Sequence, residues 1–430
     1  MLGSPVATSL GVLDMARGGR FAEIRELFAP QLRPMVTTGV LQTAWASAIE
    51  EHGAVTSVGV PVSEAAGPGV VVVKVPVTCE RGTLTVVVSV TASGDLTGIQ
   101  LAAADAAEPI AAWKPPTYAE PERFDEQDVT LGSAPLAVGG TLSLPRRAGP
   151  VSAVVLLAGS GVLDRDETIG RNKPFKDLAW GLATRGIAVL RFDKVTYAHP
   201  AEVSQVAGFT VVDEYAPAAV AALHLLERHP SIDVKRIFLL GHSLGGTVAP
   251  RVAQSVASVA GLIIMAGGTE PLHWNIVRQL RYLASLDPAT AVASVPAIDV
   301  MSERARLVDS PELSVSTPSD ELPFGIPASY WLDLRAYDPV DVAAALDGPM
   351  LVLQGGRDYQ VAVEDDLERW RSGLARSSDV TIRVFPLDNH LFFPGTGPST
   401  AAEYEPAQHM DPAVVDNIAN WLAFHGDVHS

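Results

Sequence analysis

The sequence predicts a small α+β domain followed by a larger α/β domain, whose mostly parallel sheet is covered by helices on both faces. Three observations predict it. From residue 122 onward, short apolar runs alternate with amphipathic stretches, the rhythm of parallel strands joined by crossover helices. Before residue 107, two helical stretches are followed by alternating strands separated by turns, which marks an antiparallel sheet. Between 267 and 347 the rhythm stops for about eighty residues that carry helical pieces and aromatic side chains.

The elements follow in order. Residues 1–12 read as a tail. Residues 21–28 and 36–51 have helical apolar spacing, and 70–78, 84–91 and 96–103 read as strands, which gives an α+β domain over 13–107. Residues 108–122, rich in Pro and Ala, read as a linker. Residues 124–131 and 136–144 resemble an opening hairpin, and 151–157 is apolar throughout, as a strand buried on both faces is. Strands at 188–192, 236–240 and 261–266 alternate with helices at 175–185, 211–228 and 244–255. Residues 268–346 form an insertion with helices near 272–286 and 299–307. An insertion at the C-terminal edge of a parallel sheet is expected to cap a site, and Trp274, Tyr330 and Trp331 argue that it packs. The α/β domain thus runs over 123–267 and resumes over 347–430.

Composition excludes several functions. Hydrophobic residues make up 47% of the 430 and charged residues 19%, a globular composition. A net charge of −18 without any Lys/Arg-rich run argues against nucleic acid as a partner. No apolar stretch reaches 18 residues, so no membrane span is expected. The first residues lack a basic region followed by an apolar core, so no signal peptide is expected and the cytoplasm is the expected location. The single cysteine, Cys79, reads as a small buried apolar residue. No cluster with metal-ligand spacing, no phosphate-binding loop and no dinucleotide fingerprint occurs, so neither metal nor cofactor is expected.

One stretch carries chemistry. Phe238-Leu-Leu-Gly-His-Ser-Leu-Gly-Gly246 reads as strand, sharp turn, helix. A bare G-x-S-x-G is a weak signal, but this context makes it specific. The glycines relieve crowding at the turn, Ser243 is held out as a nucleophile, and the Leu244 N–H faces a developing oxyanion. A serine needs a base, and the base needs an orienting acid. Leu351-Val-Leu-Gln-Gly-Gly-Arg-Asp358 ends a late strand in a glycine turn that projects Asp358; Glu270, at the end of the preceding strand, is the alternative. Of the ten histidines, His390 lies after the acid, just past a strand and before the last helix, which makes it the candidate base. His242 is expected to point away from the hydroxyl into packing, and Asp388 and Asp193 read as turn residues.

The second oxyanion donor is expected from the loop after residue 157, at the Ser160 N–H, where Gly159 and Gly161 permit close backbone approach. The charged remainder of that loop, including Asp164 and Arg165, either rims the pocket or pairs with itself. His242, Trp274, Tyr330 and Trp331 complete the candidate pocket residues.

These motifs, with Asn172-Lys-Pro-Phe175, Arg191-Phe-Asp-Lys194 and Asn389-His390, resemble bacterial α/β-hydrolases of the dienelactone-hydrolase and prolyl-oligopeptidase-like branch. The resemblance covers residues 123–430, while 13–107 resemble a nuclear-transport-factor-like domain. It implies hydrolysis of a carboxylic ester in a small acyl substrate, without a cofactor. Many relatives carry His-Gly where this chain has Ala158-Gly159. Dienelactone hydrolases proper use cysteine, so Ser243 makes the chain look more like an esterase. Thioesterase, lactonase, peptidase or acyltransferase chemistry would use the same residues, and a binding protein without catalysis is the reading from another class. The N-terminal domain is expected to serve packing or homodimer formation.

Overall fold

A computed structural model describes residues 4–30, 32–65, 69–104, 113–256 and 258–427. The chain divides into two compact units, Met1–Ala111 with Ile276–Ala328, and Ala112–Asn275 with Ser329–Ser430.

In the first unit, helices α1 (Pro5–Arg17), α2 (Phe21–Glu26) and α3 (Thr38–His52) precede strands β1 (Val55–Val58), β2 (Val62–Ala65), β3 (Val70–Cys79), β4 (Gly82–Thr91) and β5 (Leu96–Ala103). The order is β1-β3-β4-β5, with β2 also on β3, and every pairing is antiparallel. Alternate residues Val73, Val75, Val77 and Val86, Val88, Val90 face a core shared with Val12, Leu13, Phe21 and Ile24, the period-two pattern of a sheet with one buried face. Cys79 is buried and unpaired, as expected.

The second unit runs β6 (Phe124–Leu131), β7 (Val138–Pro145), β8 (Val151–Leu157), α4 (Pro174–Thr184), β9 (Ala188–Phe192), α5 (Val195–Ala198), α6 (Pro200–Val203), α7 (Val211–Glu227), β10 (Ile232–His242), α8 (Leu244–Ser255) and β11 (Val259–Met265). The insertion carries α9 (Leu272–Ser285) and α10 (Pro288–Asp309). Then come α11 (Ala328–Arg335), α12 (Pro339–Ala344), β12 (Met350–Gly355), α13 (Glu368–Gly373), β13 (Val380–Phe385) and α14 (Pro412–Asp427). The described residues form an eight-stranded sheet, β13-β12-β11-β10-β8-β9-β7-β6, parallel from β13 to β9 and antiparallel at β7 and β6. All residues of β8 and β9 are buried. Phe175, Leu178 and Leu182 of α4 and Val414, Ile418 and Leu422 of α14 join the core beneath β8, β10, β11 and β12. Burying each such side chain contributes about 1.5–3 kcal/mol.

The order places the chemistry. After β8 the chain moves outward to β9, then returns to the other side of β8 as β10. In open parallel sheets, ligands bind outside the carboxyl edge at such a reversal of strand order.

Several expectations need correction. The expected tail at 1–12 is mostly helix: Ser4 accepts the Ala7 N–H, Pro5 opens α1, and Val12 is buried. Residues 108–112 of the expected linker lie outside the described residues. Trp113 is anchored, donating from Nε1 to Asp177 Oδ1 (2.9 Å) with its ring edge-on to Trp180. The insertion is narrower than 268–346. Residues 329–346 belong to the second unit, where Arg251 pairs with Asp333 (2.8 Å) and the Tyr337 hydroxyl donates to the Thr247 carbonyl (2.8 Å). Residues Ile276–Ala328 belong to the first unit, where α10 packs on α3. Between β12 and β13, one wide turn, Val363–Leu367, precedes α13.

Candidate active site

Ser243 closes β10 with φ 53° and ψ −123°, and α8 starts at the next residue. Non-glycine residues avoid this region, so the turn stores about 1–3 kcal/mol. Its neighbours enforce it. A Cβ on Gly241 would lie 2.1 Å from the Gly245 carbonyl oxygen, and one on Gly245 would lie 2.2 Å from that of Leu157. The Leu244 N–H opens α8, where N–H groups have no partner within the helix.

Asp358 follows β12 and is buried. Its Oδ2 lies 2.7 Å from His390 Nδ1 and accepts Gln354 Nε2 at 2.9 Å, while Oδ1 accepts the N–H groups of Gln360 (2.8 Å) and Val361 (2.9 Å). These bonds fix the carboxylate, which then fixes the ring of His390. At the alternative acid, Glu270, the backbone N–H and that of Thr269 donate to Asp366 Oδ1, while His390 Nδ1 is held by Asp358.

His242 does point into packing, but it has partners there. Nδ1 lies 2.9 Å from Glu167 Oε1, and Nε2 lies 2.9 Å from the His390 carbonyl oxygen. A carbonyl only accepts, so Nε2 donates to it, and Glu167 Oε1 also accepts the Gly159 N–H at 2.7 Å. Burial pulls its pKa down, but Glu167 and the His390 carbonyl outweigh burial and raise it. This buried pair ties the loop after β8 to the loop carrying His390. Glu167 is a residue that sequence reasoning missed. It follows Asp164-Arg-Asp166 directly, and its φ of 53° has no signature in sequence.

On the loop after β8, a Cβ on Gly159 would lie 3.2 Å from Ser243 Cβ, so this loop lies against the Ser243 turn. Ser160 is exposed, and its N–H donates to no group among the described residues. Gly161 has φ 94°, which glycine adopts freely. The charges beyond it pair with one another. Asp164 accepts the Thr168 N–H and hydroxyl. Arg165 donates to Asp193 Oδ2 at 2.7 Å, to the Gly140 carbonyl and to Thr141. Lys173 and Arg191 both reach Asp166, each bond holding its carboxyl below the ordinary range despite burial. Asp164 is thus held within its own loop by Thr168, and Arg165 is braced against Asp193. Asp193, expected as a turn residue, accepts the Arg165 N–H and guanidinium from the loop after β8.

Tyr330 and Trp331 are built into the interior. The Tyr330 hydroxyl donates to Glu214 Oε2 (2.5 Å), and Trp331 is fully buried, edge-on to His273. Trp274 is half-buried beside His273. Among the described residues no group of three or more His, Cys, Asp or Glu is placed to hold a metal. Nor is any helix there long and apolar enough to cross a membrane.

Residues 167–393 match the family described as serine aminopeptidase, S33. The chain is 37% identical over 343 residues to esterase EstD of Thermotoga maritima, covering 80% of this chain and 77% of that protein. Among solved structures, Est1E from Butyrivibrio proteoclasticus aligns with 69% of this chain and 98% of its own, at 13% identity and TM-score 0.45. A Pyrococcus furiosus esterase aligns with 74% of this chain and 97% of its own, at 16% identity and TM-score 0.42. With its parallel sheet, strand-to-helix serine turn and this match over more than half its length, the chain belongs to the S33 serine-aminopeptidase family of α/β-hydrolases.

Proposed function

We propose that the protein hydrolyses a carboxylic ester of a small acyl substrate through a covalent acyl-enzyme on Ser243. The observation that carries this reading is the buried Asp358–His390 pair at 2.7 Å, at the same sheet edge as the strained serine turn. Ser243 Oγ attacks the ester carbonyl carbon while His390 Nε2 takes the hydroxyl proton. The carbonyl π pair moves to oxygen, and the oxyanion is received by the N–H groups of Leu244 and Ser160. Collapse expels the alcohol, which leaves with the proton from His390. Water then attacks the acyl-enzyme by the same proton path and releases the acid. Asp358 holds the ring orientation and stabilises the imidazolium formed in each step. The naming of the 37%-identical relative as an esterase supports ester over amide as the substrate bond.

The test is turnover of p-nitrophenyl acetate and butyrate by wild type beside Ser243→Ala, with an amino-acid p-nitroanilide as the amide control. Ester turnover that falls at least about 10⁴-fold in the variant is the expected result. Turnover of the anilide but not the esters would replace the reading with a peptidase. Equal ester turnover in both proteins would remove Ser243 from the chemistry.

A further inference from the structure

Beneath the loop after β8 lies a buried polar group that the reaction above does not use. Lys194, in Arg191-Phe-Asp-Lys194, is 2% exposed. Its ammonium has three acceptors for its three N–H groups: the Gly159 carbonyl at 2.8 Å, the Tyr215 hydroxyl at 2.9 Å and Glu214 Oε1 at 3.0 Å. The single Tyr215 O–H is in turn shared between the carbonyls of Gly159 (2.8 Å) and Ala158 (3.0 Å). Glu214 also accepts Thr196 Oγ1 (2.9 Å) and the Tyr330 hydroxyl. Burial pulls the Lys194 pKa below its ordinary value, with Glu214 opposing. The full set of acceptors fits the charged form.

A buried ion pair is a weak source of stability, so where this one points is informative. Both Lys194 and Tyr215 converge on one carbonyl, that of Gly159. That carbonyl belongs to the same planar peptide as the Ser160 N–H. In a trans peptide the two point in opposite directions, so a carbonyl aimed at the buried ammonium turns the N–H away from it. The preceding peptide is pinned as well, because the Gly159 N–H donates to Glu167. The Gly159 backbone is thus fixed on both sides while it lies against Ser243. Donors at a carbonyl oxygen also draw electron density toward it, which makes the N–H of the same amide a stronger donor.

We propose that Lys194, with Tyr215, is a positioning residue of the oxyanion hole: by donating to the Gly159 carbonyl it orients and polarises the Gly159–Ser160 peptide, strengthening the Ser160 N–H toward the oxyanion. The inference rests on the ester-hydrolase reading and deepens it. Lys194 touches neither substrate nor Ser243; it acts through one peptide bond. Its contribution exists where negative charge develops on the substrate oxygen, so it belongs to the transition state rather than to substrate binding.

The experiment uses the full-length enzyme and compares wild type, Lys194→Met, Tyr215→Phe and the double variant Lys194→Met/Glu214→Gln. The double variant removes both charges and guards against misfolding caused by an unpaired Glu214. Each is assayed with p-nitrophenyl butyrate, and its inhibition constant is measured with butyl trifluoromethyl ketone, which forms a tetrahedral oxyanion on the nucleophile. Folding is checked by circular dichroism and Tm. The inference expects kcat to fall about 10–100-fold in Lys194→Met and about 3–10-fold in Tyr215→Phe, with KM nearly unchanged. Ketone affinity should fall in step with kcat/KM across the series. A general structural role would not produce that proportionality. Folded variants that keep kcat within about twofold, or that lose rate without losing ketone affinity, would overturn the inference. If Lys194→Met does not fold, the double variant and Tyr215→Phe decide by the same criteria. A wild type without ester turnover, or a Ser243→Ala variant as active as wild type, would instead overturn the ester-hydrolase reading.

Discussion

Asp388 and Asp358 are two carboxylates on loops near His390 with opposite surroundings. Asp358 receives donors on both oxygens. Asp388 is buried beside Asp411, and burial and that neighbour push its pKa up to about 7, against a pull downward from Arg357. A folded pKa above the ordinary carboxylate value near 3.8 means that the folded state binds more protons between the two values. Stability therefore falls as pH rises from about 4 to about 7 and levels off above, by about 1.4 kcal/mol per pH unit at most. Asp388→Asn removes the ionisation and can still donate to Asp411. It should raise Tm at pH 8 and change it much less at pH 4.5, read by thermal unfolding at both values. An equal shift at the two pH values would contradict this. At this scale the sequence made Ser243, Asp358 and His390 legible, because strand ends and glycine turns mark where side chains project. Glu167, Lys194 and Tyr215 were illegible as a group. They lie far apart in sequence, and an acid within a charged loop carries no local sign of being buried. The same limit explains Arg165, whose partner Asp193 stands 28 residues away.

The Ser243 turn is the element that the sequence specified most tightly, because its glycines answer to backbone contacts rather than side chains. A Cβ on Gly245 would meet the carbonyl oxygens of Leu157 at 2.2 Å and Ala158 at 2.6 Å, and backbone in the middle of a buried sheet cannot retreat. Gly245→Ala should therefore destabilise the protein by roughly 3–5 kcal/mol, measured by urea unfolding. A loss under 1 kcal/mol would mean that β8 and α8 are not held as described. Strand existence was legible from apolar runs, while ends were not: β10 extends from Ile232, beyond the 236–240 suggested by apolar periodicity, because Asp233 and Lys235 are polar. Helix α1 was missed although Ser4 and Pro5 are helix-start residues. The two short helices α5 and α6 lie in a stretch without clear periodicity.

At the scale of the whole molecule, the sequence distinguished the two domains by their strand patterns, but it could not say which one owns the insertion. Chain position suggested the α/β domain. Packing assigns Ile276–Ala328 to the unit of the N-terminal sheet, where the Thr37 hydroxyl donates to the Ala293 carbonyl (3.5 Å) and Met301, Ala305 and Val308 are buried. Removing residues 1–107 should strip α10 of its α3 partner, lower Tm by roughly 5 °C or more and increase binding of an apolar dye. A truncated protein with unchanged Tm and no added dye binding would contradict that assignment.

The proposed chemistry turns on a covalent acyl-enzyme at Ser243. The most direct measurement is peptide mass mapping after acid quench of the Asp358→Asn variant mixed with p-nitrophenyl butyrate. Loss of the orienting acid is expected to slow turnover by about 10³–10⁴-fold without removing the nucleophile, so that the intermediate has time to be seen. A butyryl group is expected on the peptide containing Ser243, and none when Ser243 is also replaced by Ala. Butyrylation at another residue, or p-nitrophenol release that persists unchanged in the Ser243→Ala protein, would contradict it.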